Sequence, residues 1–290
     1  MINNIKCFMK LMKKKDKLLL LLVSLVLMII ICVLFYYREY SMTSIEDLRV
    51  LRNDGIEGIR FFYMLQDANY MIWLFLLITL IIPNLISDEF LKFRINHFDN
   101  FIINRMSYNR YFRDTVIFNM LITFIYIMIV DIVLLIVIHL FYFPISLSKL
   151  YSLSEPLQYG NIITNNAAIN IVLYVIMSSF GYSLYSSFIY SLQTFIHNTY
   201  LYKACGVIIS IILYLFPTIF SVIILNYTHM TFLSKLIYYL ALPCLITPGI
   251  AYNVALNMNY LEFYIGALCL YFILIYIFMK VKRYTQYGNL

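Results

Sequence analysis

Long apolar runs alternate with short polar segments along this chain. The runs are Leu18 to Tyr37, Met71 to Ile86, Thr115 to Phe143, Ala167 to Ile196, Ala204 to Asn226 and Leu261 to Met279. A helix needs about 20 apolar residues to cross a bilayer core, so the pattern predicts six transmembrane helices. The second run is short, which places its expected start upstream, in the Phe61 to Ala68 region. The third is long enough to cross with tilt, and Pro217 is expected to kink the fifth. Between the fifth and sixth, Thr231 to Leu242 and Ile246 to Leu256 are each too short to cross and are separated by Pro243, Pro248 and Gly249. Residues 227–260 therefore read as a re-entrant helical hairpin that dips in and returns to the same side. Ahead of the first run, Ile2, Ile5, Phe8, Met9 and Met12 fall at helical spacing beside six lysines. Residues 1–17 thus predict an amphipathic interfacial helix on an anionic membrane surface. The far end of the first run, CVLFYYREY, offers no small-residue cleavage site, so this run reads as a retained span.

One polar stretch differs from the rest. Ser87 to Asp114 carries Lys92, Arg94, Arg105, Arg110 and Arg113 against Asp88, Glu89, Asp99 and Asp114, with aromatic and aliphatic residues between them. It is too polar for hydrocarbon and too apolar for a plain solvated loop. Phe90, Phe93, His97, Phe98, Phe101 and Ile102 recur at spacings of three or four, which predicts one apolar helical face. The segment reads as two short amphipathic helices, serving either as a docking surface or as a linker resting in the headgroup region.

Composition narrows the class. Hydrophobic residues make up 63% of the 290, charged residues 12%, and the mean hydropathy is +0.84, values beyond what a soluble globular chain uses. The net charge of +7 comes from Lys and Arg confined to the segments between runs, so it reports orientation, and nucleic acid is set aside as a partner. With both termini inside, fifteen of the 21 basic residues fall on the inner side and six on the outer. The positive-inside rule then puts 88–113 in the cytoplasm. The five cysteines contain no Cys-x-x-Cys pair and read as packing residues.

This plan resembles the permease subunits of type-2 ABC exporters over essentially the whole chain. Those subunits have an interfacial helix, six spans, a coupling helix between the second and third, and a re-entrant pair before the sixth. Their coupling loop runs from an acid through a glycine and an apolar stretch to a Pro-x-Ser-Arg-like turn. Glu89 matches the acid, Asn96 stands near the glycine, Phe101 to Ile103 match the apolar stretch, and Arg105, Met106, Ser107 and Tyr108 occupy the turn, without that glycine or proline. The resemblance implies a single permease domain over 1–290 with an ATPase-docking loop of Glu89, Phe90, Phe93, Arg94, Phe98, Phe101, Ile102 and Arg105. It also implies a separate cytoplasmic ATPase and a second permease copy or related permease. No Gly-x-x-x-x-Gly-Lys-Ser/Thr run is present, so ATP and Mg would belong to that partner and this chain would hold no cofactor, metal or catalytic residue. The implied cargo is an amphipathic or antimicrobial peptide, exported for release or self-immunity, as in small permeases of low-GC Gram-positive bacteria. The alternative is a non-transporting sensor or membrane-embedded enzyme whose loop binds a regulator.

Within the spans, Asp131 is the candidate for a translocation path, because an intramembrane carboxylate is costly unless used or paired. His139, eight residues on, falls on roughly the same helical face. A protonated or hydrogen-bonded Asp131 bridging two helices is the favoured plainer reading. Ser179, Ser183, Ser187 and Ser191 recur every fourth residue, a stripe that could line the path but that usually permits close helix packing, the preferred role. Gly181-Tyr182-Ser183-Leu184 lacks the second glycine of a membrane serine protease, and no His-Glu-x-x-His is present. The 28 tyrosines read as interfacial belts, Tyr36, Tyr37, Tyr238 and Tyr239 among them.

Overall fold

The computed structural model describes residues 14–54, 57–146, 166–196, 198–250 and 260–287. Residues 1–13 of the expected interfacial helix and 251–259 of the expected hairpin lie outside this set. The described residues are helical, without a β-strand. Five helices are long and apolar enough to cross a membrane: α1 (Lys14–Tyr40), then α7 (Tyr108–Val137) continued by a π-helical turn at Ile138–Tyr142, α8 (Ala167–Ser191), α9 (Thr199–Thr228) and α12 (Tyr260–Tyr287). Shorter helices lie between them: α2 (Ile45–Asp54), α3 (Glu57–Gln66), α4 (Ile72–Leu85), α5 (Ser87–Ile95), α6 (Phe98–Met106), α10 (Thr231–Tyr238) and α11 (Leu242–Ile246). The chain is thus a multi-helix membrane protein, and only counting α4 together with α5, bent by 42°, brings the crossings to six.

Local chemistry starts these helices where they start. Asn166 caps α8, its side chain accepting from the N–H groups of Ala168 and Ile169. Asn198 does the same for α9 through Tyr200 and Leu201, each cap satisfying donors that a first helical turn leaves free. Pro243 sits in the first turn of α11, where its missing N–H costs nothing. It opens a helix there, whereas the sequence pattern reads it as the break between two limbs.

The least apolar crossing helix, α8, is the most enclosed. Its small residues let neighbours in. A Cβ on Gly181 would collide with the Leu245 carbonyl of α11. Ser186 Oγ accepts from Asn119 Nδ2 at 2.8 Å and Thr123 Oγ1 at 3.0 Å, tying α8 to α7. Ser183 and Ser191 turn their hydroxyls back to Phe180 and Phe188 carbonyls of their own helix. The stripe residues Ser179, Ser183, Ser187 and Ser191 are all buried, and the serine that bonds α7 is Ser186, outside the stripe.

The tyrosines depart from a belt. Tyr174, Tyr182, Tyr185, Tyr190, Tyr202 and Tyr271 are among the largest fully buried side chains. Several donate to backbone carbonyls, such as Tyr271 to Leu240 at 3.0 Å and Tyr264 to Met177 at 2.8 Å. A phenol fills space like Phe while satisfying an acceptor that hydrocarbon cannot.

Two short segments enter the bundle from the end away from α5 and α6. The first is α3, which is buried nearly throughout. At its start a Cβ on Gly58 would meet the Phe143 carbonyl at 2.7 Å, and at its end Gln66 reaches Asp131, twelve residues back along α7 and so about 18 Å away along that helix axis. A turn at Asp67–Tyr70 then separates α3 from α4, so Phe61 to Ala68 does not extend the second run as one helix. The second segment, α10–α11, folds back beside α9. Ser234 donates to the Ser221 carbonyl at 2.7 Å, and α11 reaches the middle of α8. The start of α1 and the end of α12 both lie at the α5–α6 end, where Lys17 meets Asp88 and Phe278 meets Phe195.

Gly181→Val is expected to lower the melting temperature in detergent by an amount corresponding to about 1–3 kcal/mol, because a backbone carbonyl cannot yield cheaply. Ser179→Ala, which removes a hydroxyl without a partner among the described residues, should leave it within about 0.5 kcal/mol. A thermal-shift comparison of the two checks this.

Candidate functional site

At one end of the bundle the chain turns sharply out of α4 into α5 and α6, and this elbow gathers most of the residues singled out in Ser87 to Asp114. Its base is a charge cluster. Lys17, from the first turn of α1, places Nζ 2.7 Å from Asp88 Oδ1 and 2.7 Å from the Asn84 carbonyl oxygen. Glu89 lies 3.8 Å from the same Nζ and 2.9 Å from that of Lys92. Asp88 and Glu89 fall in the first turn of α5, where carboxylates complement the helix dipole. Both side chains are nearly buried, with relative exposures of 7% and 11%, so these pairs are screened less than surface pairs. Burial pushes the Lys92 ammonium down, but Glu89 and Asp88 outweigh it and hold it above its ordinary value of 10.5. That contribution is therefore present below about pH 10.5 and fades only as pH rises past it.

The elbow is also fastened to the link between α8 and α9. Gln193 Nε2 donates to the Ser87 carbonyl, and the Arg94 guanidinium donates to the Gln193 carbonyl. Arg94 is thus a structural clamp. Gln193 and Lys17 are partners of the elbow that sequence reasoning did not select. Neither stands in a motif, and Lys17 reads from sequence only as one of a basic cluster.

The expected single apolar face is divided. His97 adopts a left-handed backbone, φ 56°, and ends α5 against α6; Ser107 before α7 also has a positive φ, 65°, but with an extended ψ of 149°. Asn96, at the position of the family glycine, has an ordinary φ of −87°, so the positive φ falls one residue later. Tyr108 to Asp114 already form the first turns of α7.

Along the divided face the rings pass from inside to outside. Phe90 is 3% exposed and lies 5.6 Å from Tyr190 of α8 and 6.4 Å from Phe118 of α7, centroid to centroid. It is unavailable to a partner. Phe93 follows at 6.1 Å, Phe98 at 5.5 Å from Phe93, and Phe101 at 6.5 Å from Phe98, within the range of aromatic pairing. Phe98 is 40% exposed and Phe101 67%, with Ile95 beside them at 43%. Ile102 is half-buried and Arg105 exposed. Ile95, Phe98 and Phe101 form an apolar knob on a charged base.

Deeper in the bundle, Asp131 is 1% exposed. Its Oδ1 accepts from Gln66 Nε2 at 2.9 Å, while Oδ2 has no partner among the described residues. The bond joins α7 to α3, the helix-bridging arrangement. His139 is exposed near the opposite end, its Nδ1 accepting the Ile145 N–H at 2.9 Å. The structure does not bring the two into one path. Ser179, Ser183 and Ser187 sit in helix contacts, away from any cavity described below. Cys32, Cys205 and Cys244 are buried thiols.

Comparison with protein-family models, curated proteins and solved structures returns no match to this chain.

Lys17→Ala leaves two nearly buried carboxylates with Lys92 alone. The expected loss is about 1–3 kcal/mol of stability, measured as a fall in melting temperature, while Lys17→Arg retains most of it. In the Lys17→Ala background, Asp88→Asn should cost less than it does in the unaltered chain, which a double-mutant cycle reads directly.

Proposed function

We propose that the chain is the membrane-spanning permease subunit of an ATP-driven exporter, with the elbow as the docking site of a separate cytoplasmic ATPase. The observation that carries this reading is the run of rings from Phe101 and Phe98, exposed on α6, through Phe93 to Phe90 wedged between α7 and α8. An exposed apolar knob is a partner site more often than an accident. This one is continuous with the packed interior, so a push on Phe101 reaches the two helices that hold Asp131 and the serine stripe. Packed cores rearrange between discrete states more readily than they deform, which suits conversion of nucleotide-driven motion into a change of access.

In this reading the second of six crossings ends with α4, and α5 already belongs to the cytoplasmic elbow; both termini are cytoplasmic, and the protein is a multi-pass component of a bacterial plasma membrane. Lys17, Lys92 and the other basic residues near the elbow agree with that orientation. ATP and Mg bind the partner, two permease chains enclose the path, and the cargo is an amphipathic or antimicrobial peptide leaving the cell. Asp131, bonded to Gln66 on one oxygen only, is the polar group best placed to respond when α3 and α7 move. The ATPase groove would receive Ile95, Phe98 and Phe101, with Arg105 at the rim. Arg94 and Phe90 act behind this surface, one holding the elbow and the other transmitting its motion.

Phe98→Asp combined with Phe101→Asp is expected to reduce recovery of an ATPase with the tagged chain from native membranes at least tenfold, with the chain's own expression retained. Arg105→Glu should weaken recovery more in low salt than in high salt. Undiminished recovery from the double variant would count against docking at the elbow.

A further inference from the structure

A cavity of about 250 Å³ lies where the α3–α4 turn, the far half of α9 and the α10–α11 segment meet. Its walls differ in character. Asp67, Asn69, Tyr214, Thr218 and Thr247 supply polar groups, and Phe75, Tyr238 and Ile246 an apolar floor. No Lys, Arg or His among the described residues lines it.

Among the described residues Asp67 is the single charged group in the lining, and its residue is only 9% exposed. Its orientation is fixed locally. Oδ1 accepts from the Asn69 backbone N–H at 2.9 Å and from Asn69 Nδ2 at 3.0 Å, and Tyr214 OH donates to Asn69 Oδ1. The turn therefore holds a carboxylate at the cavity wall. Thr218 Oγ1 donates to the Tyr214 carbonyl at 2.8 Å, and Pro217 has no N–H to give the Leu213 carbonyl, so this part of α9 is rich in acceptors and poor in donors. A carboxylate enclosed by a bundle and facing no cation marks a site whose partner arrives from outside the chain.

Size decides which cation. At about 30 Å³ for a water's share of liquid volume, the cavity holds on the order of eight waters, far more than a bare metal ion. A cation bound there as a metal would also need several further oxygens at about 2–2.6 Å. The apolar floor instead suits a short hydrocarbon stem with its charge at one end.

We infer that this cavity binds a primary ammonium on a short apolar stem, the ammonium against Asp67 and Asn69 and the stem against Phe75, Tyr238 and Ile246. A lysine side chain of a peptide, a free alkylamine and an aminophospholipid headgroup share this chemistry at the charged end. Binding requires no ATPase, so the inference stands or falls separately from the exporter reading.

The test is calorimetric titration of the full chain in phosphatidylcholine nanodiscs with n-hexylammonium, using empty discs to subtract partitioning. The expected result is saturable binding near one per chain, weakened at least tenfold by Asp67→Asn, which keeps an oxygen for the Asn69 turn and removes the charge. Thr218→Phe, which fills the cavity from α9 without touching Asp67, should abolish it. Phosphatidylethanolamine discs and a short lysine-containing peptide identify the source. Competition by the lipid assigns the site to a headgroup, and competition by the peptide alone assigns it to a soluble amine. Purely partitioning behaviour, equal in wild type and Asp67→Asn, would overturn the inference.

Discussion

The ammonium of Lys17 joins three helices at one point: it belongs to α1, it bonds the last turn of α4 through the Asn84 carbonyl, and it neutralises Asp88 at the start of α5. This junction and the Gln193 bonds together fasten the elbow to the bundle. The chain leaves α4 with a 42° bend, a direction that the charge cluster and the Gln193 bonds hold against the bundle. A loop of the same composition without these fastenings could lie on a membrane surface. Held as it is, it presents Phe98 and Phe101 away from the bundle and keeps Phe90 within it.

Inside the bundle a second constraint operates. Hydrocarbon offers no hydrogen bonds, so each inward-facing polar group has to be matched by another. The pairing of Asn119 and Thr123 with Ser186, of Thr115 with Tyr190, and of Gln66 with Asp131 answers that demand between helices. Small residues on α8 let α7, α11 and α12 approach closely enough for it to be met. The same logic singles out Asp67, a carboxyl group held inside the bundle whose cavity offers no cation among the described residues.

The crossing helices were legible because hydrophobic length is a strong signal, and five of the expected runs stand as long helices with ends shifted by up to eight residues. The elbow was legible as a charged interruption containing aromatics, and α5 and α6 are the two short helices it predicts. Its register was not. Helical spacing assumes an unbroken helix, and the left-handed backbone at His97 splits the set Phe90, Phe93, Phe98 and Phe101 into buried and exposed members. Phe90 and Arg94 read from sequence as surface residues because nothing local reveals Tyr190 or Gln193, each about 100 residues away. The path grouping of Asp131 with His139 had the same origin: they share a helical face, but a face turns from interior to exterior near the end of a long helix. Tyrosine abundance suggested interfacial belts, whereas Tyr185, Tyr264 and Tyr271 donate to backbone carbonyls inside the bundle, a role that depends on neighbours brought together only by the fold.

The central claim is that Phe101 faces a partner while Phe90 transmits. It is tested most directly by placing a photo-crosslinking phenylalanine analogue at each position in turn in native membranes and identifying the adducts by mass spectrometry. The expected result is an adduct between position 101 and a protein carrying nucleotide-binding motifs, with only intramolecular adducts from position 90. An ATPase adduct from position 90, or none from position 101, would contradict it.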